Sequence, residues 1–402
     1  MVPYLRAANV KDGRIDLSSV LEMNFSPQEQ QIFSLRAGDV LVTEGSGSLG
    51  TVGASAVWRG ELEGTVCFQN TLLRLRPRQD VDGRYLSWWA RSAHGSGLFA
   101  SVASGANIYH LSAERVRALP VSLPPVDEQR RIADYLDAET ARIDEMIKLR
   151  NRQMLIISER YRAAISENTT PGISQNVRRS EAWPWLPNDM PTARLGYLAR
   201  IQSGATVDAT RKATPDDIEV PYLRVANVQG EGIDLSEIKT INLPKSAIRR
   251  STLQPGDVVM TEANGNPDNL GRGAVWNDDI PGMVHQNHIF AIRTNKDSLL
   301  PDFLSSTLAS IHGRKYFRFT SNQVGIATTS GSKVLDFPVP VVDMKKQKSI
   351  ASECAKMRES TNRIFDTLNH QISLLAERRQ ALITAAVTGQ IDVTTAGRAA
   401  VG

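Results

Sequence analysis

Two short stretches of this chain concentrate side chains that hydrogen-bond in a directional way: Gln69-Asn70 and His285-Gln286-Asn287-His288. Amide, imidazole and guanidinium groups on exposed loops are the groups that read base edges in the major groove of DNA. Each stretch comes just before an expected strand, at nearly equivalent places in the chain. Turn chemistry alone also accounts for asparagine at such places, so contact and turn remain alternatives there. His285 and His288 form a His-x-x-His pair, but no third ligand accompanies them, and a zinc site needs one. The expectation is hydrogen bonding, with no metal and no cofactor.

A third stretch, His312-Gly-Arg314-Lys315-Tyr-Phe-Arg318-Phe319, interleaves basic and aromatic residues. Phosphate contact with partial packing of the rings explains it, and a solvated helix end explains it nearly as well. Catalytic patterns are absent. The chain has no Gly-x-x-x-x-Gly-Lys-Ser/Thr loop, and Ser330-Gly-Ser-Lys333 lacks the companion Lys-Thr-Gly. There is no Asn/Asp-Pro-Pro-Tyr string. Pro301-Asp302 with Asp343-Met-Lys345 could be forced into a carboxylate-lysine set, but Asp343 sits where a helix cap belongs. A non-catalytic protein is expected.

The elements that must carry these residues occur twice. Val2-Pro-Tyr-Leu-Arg-Ala-Ala-Asn-Val10 returns as Val220-Pro-Tyr-Leu-Arg-Val-Ala-Asn-Val228, and the same 218-residue offset relates Gly38-Asp-Val to Gly256-Asp-Val and Gln129 to Gln347. The unit is domain-sized, far longer than a solenoid repeat. Arg6 and Arg224, like Asn9 and Asn227, are identical in both copies, which favours a phosphate or structural role over sequence readout. Glu44 and Glu262 accompany Gly-rich turns and read as structural. Trp58, Trp276 and Trp88-Trp89 read as core.

Each copy has two unlike parts. The first holds short β-branched runs such as Asp39-Val-Leu-Val-Thr43, broken by Gly, Pro, Asn and Asp, with one helix near Gly83–Ala93 and Pro301–Ser310. In the second, apolar residues recur at steps of three and four: Ile132, Leu136, Ile143 onward to Ile165, then Ile350, Cys354, Met357, Ile364 onward to Leu382. These stripes predict two long helices forming an antiparallel coiled coil. The fold class expected is α+β: two similar globular domains joined by two long antiparallel coiled-coil helices. The expected boundaries are 1–124 (first globular domain), 125–170 (first helix), 171–184 (polar linker), 185–341 (second globular domain), 342–390 (second helix) and 391–402 (tail). Nothing but Met1 precedes the first Val-Pro-Tyr-Leu-Arg, whereas Ser180–Glu219 precedes the second. The first domain is thus expected to lack about 35 residues, including a strand, through a misplaced start or a truncation.

Composition sets the outer bounds. The 402 residues are 41% hydrophobic and 22% charged, with net charge +4 and two cysteines. No run of eighteen apolar residues and no apolar leader is present, so a cytoplasmic protein without membrane association is expected. The charge is compatible with nucleic acid without requiring it.

Several strings, in this order and duplicated, resemble the specificity subunit of type I restriction-modification systems over essentially the whole chain. They are Tyr-Leu-Arg-x-Ala-Asn-Val in both copies, Pro255-Gly-Asp-Val-Val-Met-Thr261, Val121-Ser-Leu-Pro-Pro-Val-Asp-Glu-Gln-Arg-Arg-Ile-Ala133 with Tyr135-Leu-Asp137, Ala141-Arg-Ile-Asp-Glu-Met-Ile147, and 377–392. The resemblance implies two target-recognition domains, each reading half of a bipartite asymmetric site on double-stranded DNA. It further implies spacer helices that set the distance between half-sites and dock two methyltransferase subunits, with translocase-nuclease subunits joining for cleavage. A spacer of tens of ångströms suits readers one or more turns apart, a turn being roughly 34 Å. It also places the loops Ser104-Gly-Ala-Asn107-Ile-Tyr109-His110 and Ser321-Asn322-Gln323-Val-Gly-Ile326 near the DNA. The DNA-contacting candidates are therefore Arg6, Gln69, Asn70, Asn107, Tyr109, His110, Arg224, Gln286, Asn287, His288, Arg314, Lys315, Arg318, Asn322 and Gln323. A coiled-coil scaffold, or an inactive shortened subunit, is the competing expectation.

Overall fold

The computed structural model describes residues 1–46, 50–105, 109–206, 214–322 and 326–393. They fall into two compact units: Met1–Arg152 with Leu368–Gly402, and Gln153–Thr367. Two helices of 44 residues each, Val126–Thr169 and Met344–Val387, contribute segments to both. At 1.5 Å per residue each is about 66 Å long.

The first unit is built around the strand Val40–Thr43, which pairs antiparallel with Ser55–Val57 on one side and Leu72–Leu75 on the other. Its side chains alternate between two cores, as the strand period of two requires. Val40 and Val42 pack with Trp88, Trp89, Ile132 and Leu136. Leu41 faces Leu5, Ala56, Trp58 and Leu72. A second small sheet places Val2–Leu5 antiparallel to Leu21–Met23 and parallel to Cys67–Phe68. The helix Gly83–Gly95 starts at Asp82, whose carboxylate accepts the N–H groups of Arg84 and Tyr85. It lays its apolar face on the first core. The two long-helix segments of this unit run antiparallel. Leu136 shares a core with Val387, and about two turns further on Asp144 meets Arg379 at 3.1 Å. Beyond the second helix, Ile391 and Val393 pack on this core, while 394–402 lie outside the described residues.

The second unit repeats the plan. Val258–Thr261 pairs with Gly273–Val275 and Ile289–Thr294. Val258 and Met260 face one core, and Val259 faces Leu223, Ala274 and Trp276 in the other. Lys239–Leu243, Ile218–Leu223 and Val284–His285 form the smaller sheet. Ile165, Ile350 and Cys354 share a core at the antiparallel helical segments. Ile364, expected in the apolar stripe, is exposed, because such a stripe drifts around a straight helix by about 20° per heptad. The helix expected at Pro301–Ser310 is Pro301–Ala309, and a further helix, Ile311–Thr320, follows it.

Among the described residues, two features belong to the second unit only. Ala199–Ser203 adds a fourth strand along Ile289–Thr294, and Thr192–Arg194 pairs with Pro338–Pro340. The equivalent strand of the first unit, Leu72–Leu75, has no neighbour on that side among the described residues. The segment 171–184, whose polar composition reads as a linker, is packed on the second unit instead. Its few apolar residues hold it there: Ile173 is buried, and the Trp183 ring lies 5.1 Å from that of Tyr316.

Candidate nucleic-acid interface

The repeat extends to individual hydrogen bonds. The Asn9 amide donates to the Asp16 and Ser19 carbonyls at 2.9 and 3.1 Å, and Asn227 does the same to Asp234 and Glu237 at 2.8 and 3.1 Å. Arg6 donates to the Ser19 carbonyl and Arg224 to that of Glu237. Both arginines thereby help to hold a loop. Buried Asp39 takes a two-point hydrogen bond from Arg76, and Asp257 takes one from Arg293. Gly53 and Gly271 recur too, at φ +86° and +81°. A Cβ there would sit 2.6 Å from the Phe99 ring and 2.0 Å from the Phe317 ring, so only glycine lets these rings close the core.

This scaffold gathers the candidate loops of each unit. In the first unit the Glu44 N–H donates to the Thr71 carbonyl at 2.9 Å, and the Leu111 N–H donates to the Glu44 carbonyl at 2.7 Å. Gly45–Ser46 pairs with Tyr109–His110. Gln69, Asn70, Tyr109 and His110, far apart in sequence, thus come to one end of the central sheet. Asn70 and His110 are exposed, and Gln69 and Tyr109 are half-buried. Asn107 lies outside the described residues.

The second unit builds the same junction with different side chains. The Glu262 N–H donates to the His288 carbonyl and the Thr329 N–H to the Glu262 carbonyl, both at 2.9 Å. Ala263–Asn264 pairs with Ala327–Thr328, and Asn322 bridges Thr328. The Asn287 N–H donates to the Ala205 carbonyl at 2.9 Å, bringing 204–206 to the same end. His288 Nδ1 lies 3.0 Å from a Glu262 carboxylate oxygen and donates to it, which orients the ring. The His288 side chain is 56% exposed, so the oriented Nε2 edge is available to a ligand. Gln286 and Asn287 are half-buried, Asn322 is exposed, and Gln323 lies outside the described residues.

His285 and His288 do not act together. His285 is buried, its Nδ1 donating to the Ile289 carbonyl at 2.9 Å, and burial holds its pKa below the ordinary value.

The basic-aromatic stretch divides three ways. Lys315 and Arg318 are exposed, Arg318 pairing with Asp268 at 3.0 Å. His312 is core: its Nδ1 accepts from Trp185 Nε1 at 3.0 Å, and its Nε2 donates to the Pro338 carbonyl at 2.7 Å. Burial pushes its pKa down to about 4. Arg314 is half-buried and turned into a cavity lined also by Arg162, Arg272 and Arg358, away from the solvated helix end that the sequence suggests. The physical reason is that Trp183 and Trp185 cover the His312 and Tyr316 face of the helix, while Arg314, about half a turn around, faces the turn 229–232 and the long-helix segments.

A further basic feature escaped the sequence reading. Arg249 and Arg250, in the last turn of Lys245–Ser251, line a cleft of about 780 Å³ with Gln202, Ser203 and Thr206. The signal available was the repeat itself: the equivalent helix, Pro27–Phe33, has Gln31 and Ile32 there.

Among the described residues no helix is long and apolar enough to cross a membrane, and Cys67 and Cys354 are free, buried thiols in different units.

Comparisons with known proteins agree with this architecture. Residues 1–153 match the family model for the type I restriction modification DNA specificity domain. The chain is 24% identical to the type I restriction enzyme EcoKI specificity subunit of Escherichia coli K12, over 97% of this chain and 82% of that one. It is 22% identical to the StySPI specificity subunit of Salmonella potsdam, with the same coverage of each. A solved structure described as the basis of complex assembly and conformational transition of the type I R-M system matches 96% of this chain and 91% of its own. Its TM-score is 0.67 at 15% identity, a likeness of fold. Residues 1–153 thus match a type I restriction modification DNA specificity domain, and over nearly its whole length the chain is similar to specificity subunits of type I restriction enzymes.

Proposed function

We propose that this chain is the DNA sequence-specificity subunit of a type I restriction-modification complex, acting in the cytoplasm. It binds double-stranded DNA at a bipartite, asymmetric site and has no catalytic step of its own. Two methyltransferase subunits perform adenine methylation, and translocase-nuclease subunits perform restriction. The long helices offer the docking surface for the methyltransferase subunits.

The observation that carries the reading is the division of labour within the repeat. The bonds of Asn9, Asp39 and Gln129 recur at Asn227, Asp257 and Gln347, while residues at the loop junction change. Thr71 is replaced by His288 and His110 by Thr328, each in the same backbone pairing. One scaffold with two sets of loop side chains is what two different half-sites require. Tyr109 and His110 are proposed to read the first half-site and His288 and Asn322 the second, while Gln69-Asn70 and Gln286-Asn287, identical at equivalent backbone positions, are proposed as contacts common to both. Lys315 and Arg318 supply phosphate contacts. Mapping N6-methyladenine in cells with and without this gene tests the reading. Loss of one bipartite motif on deletion is expected, and an unchanged methylation map would overturn it.

A further inference from the structure

The second unit contains a cavity of about 440 Å³ between helical segments 158–165 and 358–365, the turn 229–232 and the helix Ile311–Thr320. Four guanidinium groups line it, from Arg162, Arg272, Arg314 and Arg358, against the single carboxylate of Glu231. That carboxylate is already engaged: the Tyr161 hydroxyl donates to it, and Arg358 lies 3.9 Å away. The nearby Asp268 is paired with Arg318. Arg272 donates to the neutral side chain of Asn269, and the buried Nε atoms of Arg272 and Arg314 have no partner among the described residues. Burial, then repulsion from Arg272 and Arg162, lowers the Arg314 pKa to about 10. Four half-buried like charges held together against one carboxylate are costly unless a further anion completes the site.

The first unit shows that the fold does not require this arrangement. At the 218-residue offset, Arg272, Arg314 and Arg358 become Ala54, Ser96 and Thr140, Arg162 corresponds to Gln380, and Glu231 corresponds to Gly13. Ala309, which lines the cavity, corresponds to Arg91. The Arg91 guanidinium stacks on the Trp88 ring at 4.2 Å and lies against Gly13, where a Cβ would come within 2.7 Å of it. In the first unit the equivalent space narrows to about 170 Å³ and sets Arg59, Arg84 and Arg91 against Asp137 and Asp144, whereas the second leaves a larger cavity with four arginines and one carboxylate.

We propose that this cavity binds a phosphate-class oxyanion, held by Arg162, Arg272, Arg314 and Arg358. The proposal stands apart from the choice of half-site residues above. Charge-assisted, forked hydrogen bonds from guanidinium to phosphate are the contacts this geometry offers. The phosphate could belong to a free phosphate ester or to a duplex backbone.

Titration calorimetry on the full chain with inorganic phosphate, against chloride at matched ionic strength, tests it. Phosphate is expected to bind with measurable heat where chloride gives none. The double variant Arg272→Gln/Arg314→Gln should weaken phosphate binding by at least about tenfold, since each hydrogen bond to a charged group is worth that much. Glu231→Gln, which keeps an acceptor for Tyr161 and removes the competing charge, should tighten it, so a misfolded double variant still leaves a readout. Competition of phosphate by random-sequence duplex would assign the site to a DNA phosphate, and its absence to a free ester. Equal behaviour of phosphate and chloride, or variants that bind like the parent chain, would overturn the proposal.

Discussion

The side-chain oxygen of Gln347 accepts the backbone N–H of Leu300 at 2.9 Å, while its amide donates to the carbonyls of Ser298 and Val342, each at 3.0 Å. Gln129 repeats this with Asp82, Asp80 and Pro124. Each glutamine is buried, and each locks the first turn of a long helix to the start of a shorter one. Replacing Gln347 by methionine keeps the volume and strands three polar groups. A loss of about 3 kcal/mol is expected, at roughly 1 kcal/mol or more for each unsatisfied group. Urea denaturation of the full chain measures it, and Gln129→Met should act equally on the other unit.

His312 predicts an acid sensitivity of the second unit. Its pKa falls from 6.5 to about 4 because it is buried between Trp185 and the Pro338 carbonyl. Between these values the unfolded chain holds a proton that the folded unit excludes. The stability is therefore complete above pH 6.5 and is lost as pH falls toward 4, by roughly 3 kcal/mol. Burial lowers His285 as well, so the comparison to make is with His312→Gln. Denaturation of that variant at pH 7 and pH 4.5 should show a smaller difference than in the parent chain. An equal difference would mean that His312 does not carry the effect.

How much of this could be read from residues alone depended on whether the deciding contact was local or repeated. The two copies of Tyr-Leu-Arg-x-Ala-Asn-Val, the caps at Asp82 and Asp343, and the helical stripes are local patterns, and they reappear as the scaffold. The burial of Trp58 and Trp276 followed from their place in apolar runs. What stayed hidden was set by distant partners. Nothing within Ile311–Thr320 shows that Trp185, 127 residues earlier, hydrogen-bonds His312. Nor does the Arg249-Arg250 dipeptide show that 201–206 closes a cleft beside it. Segment 171–184 misled because polar composition outweighed two apolar anchors, Ile173 and Trp183.

The orientation of His288 by Glu262 leads to a specificity prediction. His288 occupies the place that Thr71 holds in the first unit, with the same backbone bond from the neighbouring glutamate. His288→Thr should leave stability within about 0.5 kcal/mol, as for most exposed substitutions. Base preference at one position of one half-site should relax by roughly 1–3 kcal/mol. Band shifts on a library randomised at that half-site measure this. An unchanged preference would remove His288 from the residues that touch bases.

Arg249 and Arg250 call for a different signature. Their cleft is walled by Gln202, Ser203 and Thr206 beside the junction at Ala205, yet arginine on a short helix carries no base pattern of its own. Phosphate contact is the reading their chemistry favours. Arg249→Gln with Arg250→Gln should then weaken binding about equally for the preferred site and for unrelated duplex. It should also make the slope of log affinity against log salt shallower, by about one for each DNA phosphate that is no longer neutralised. A variant that loses specific binding while keeping its salt slope would mean that these arginines read bases. The cleft would then belong to the recognition surface and not to its electrostatic footing.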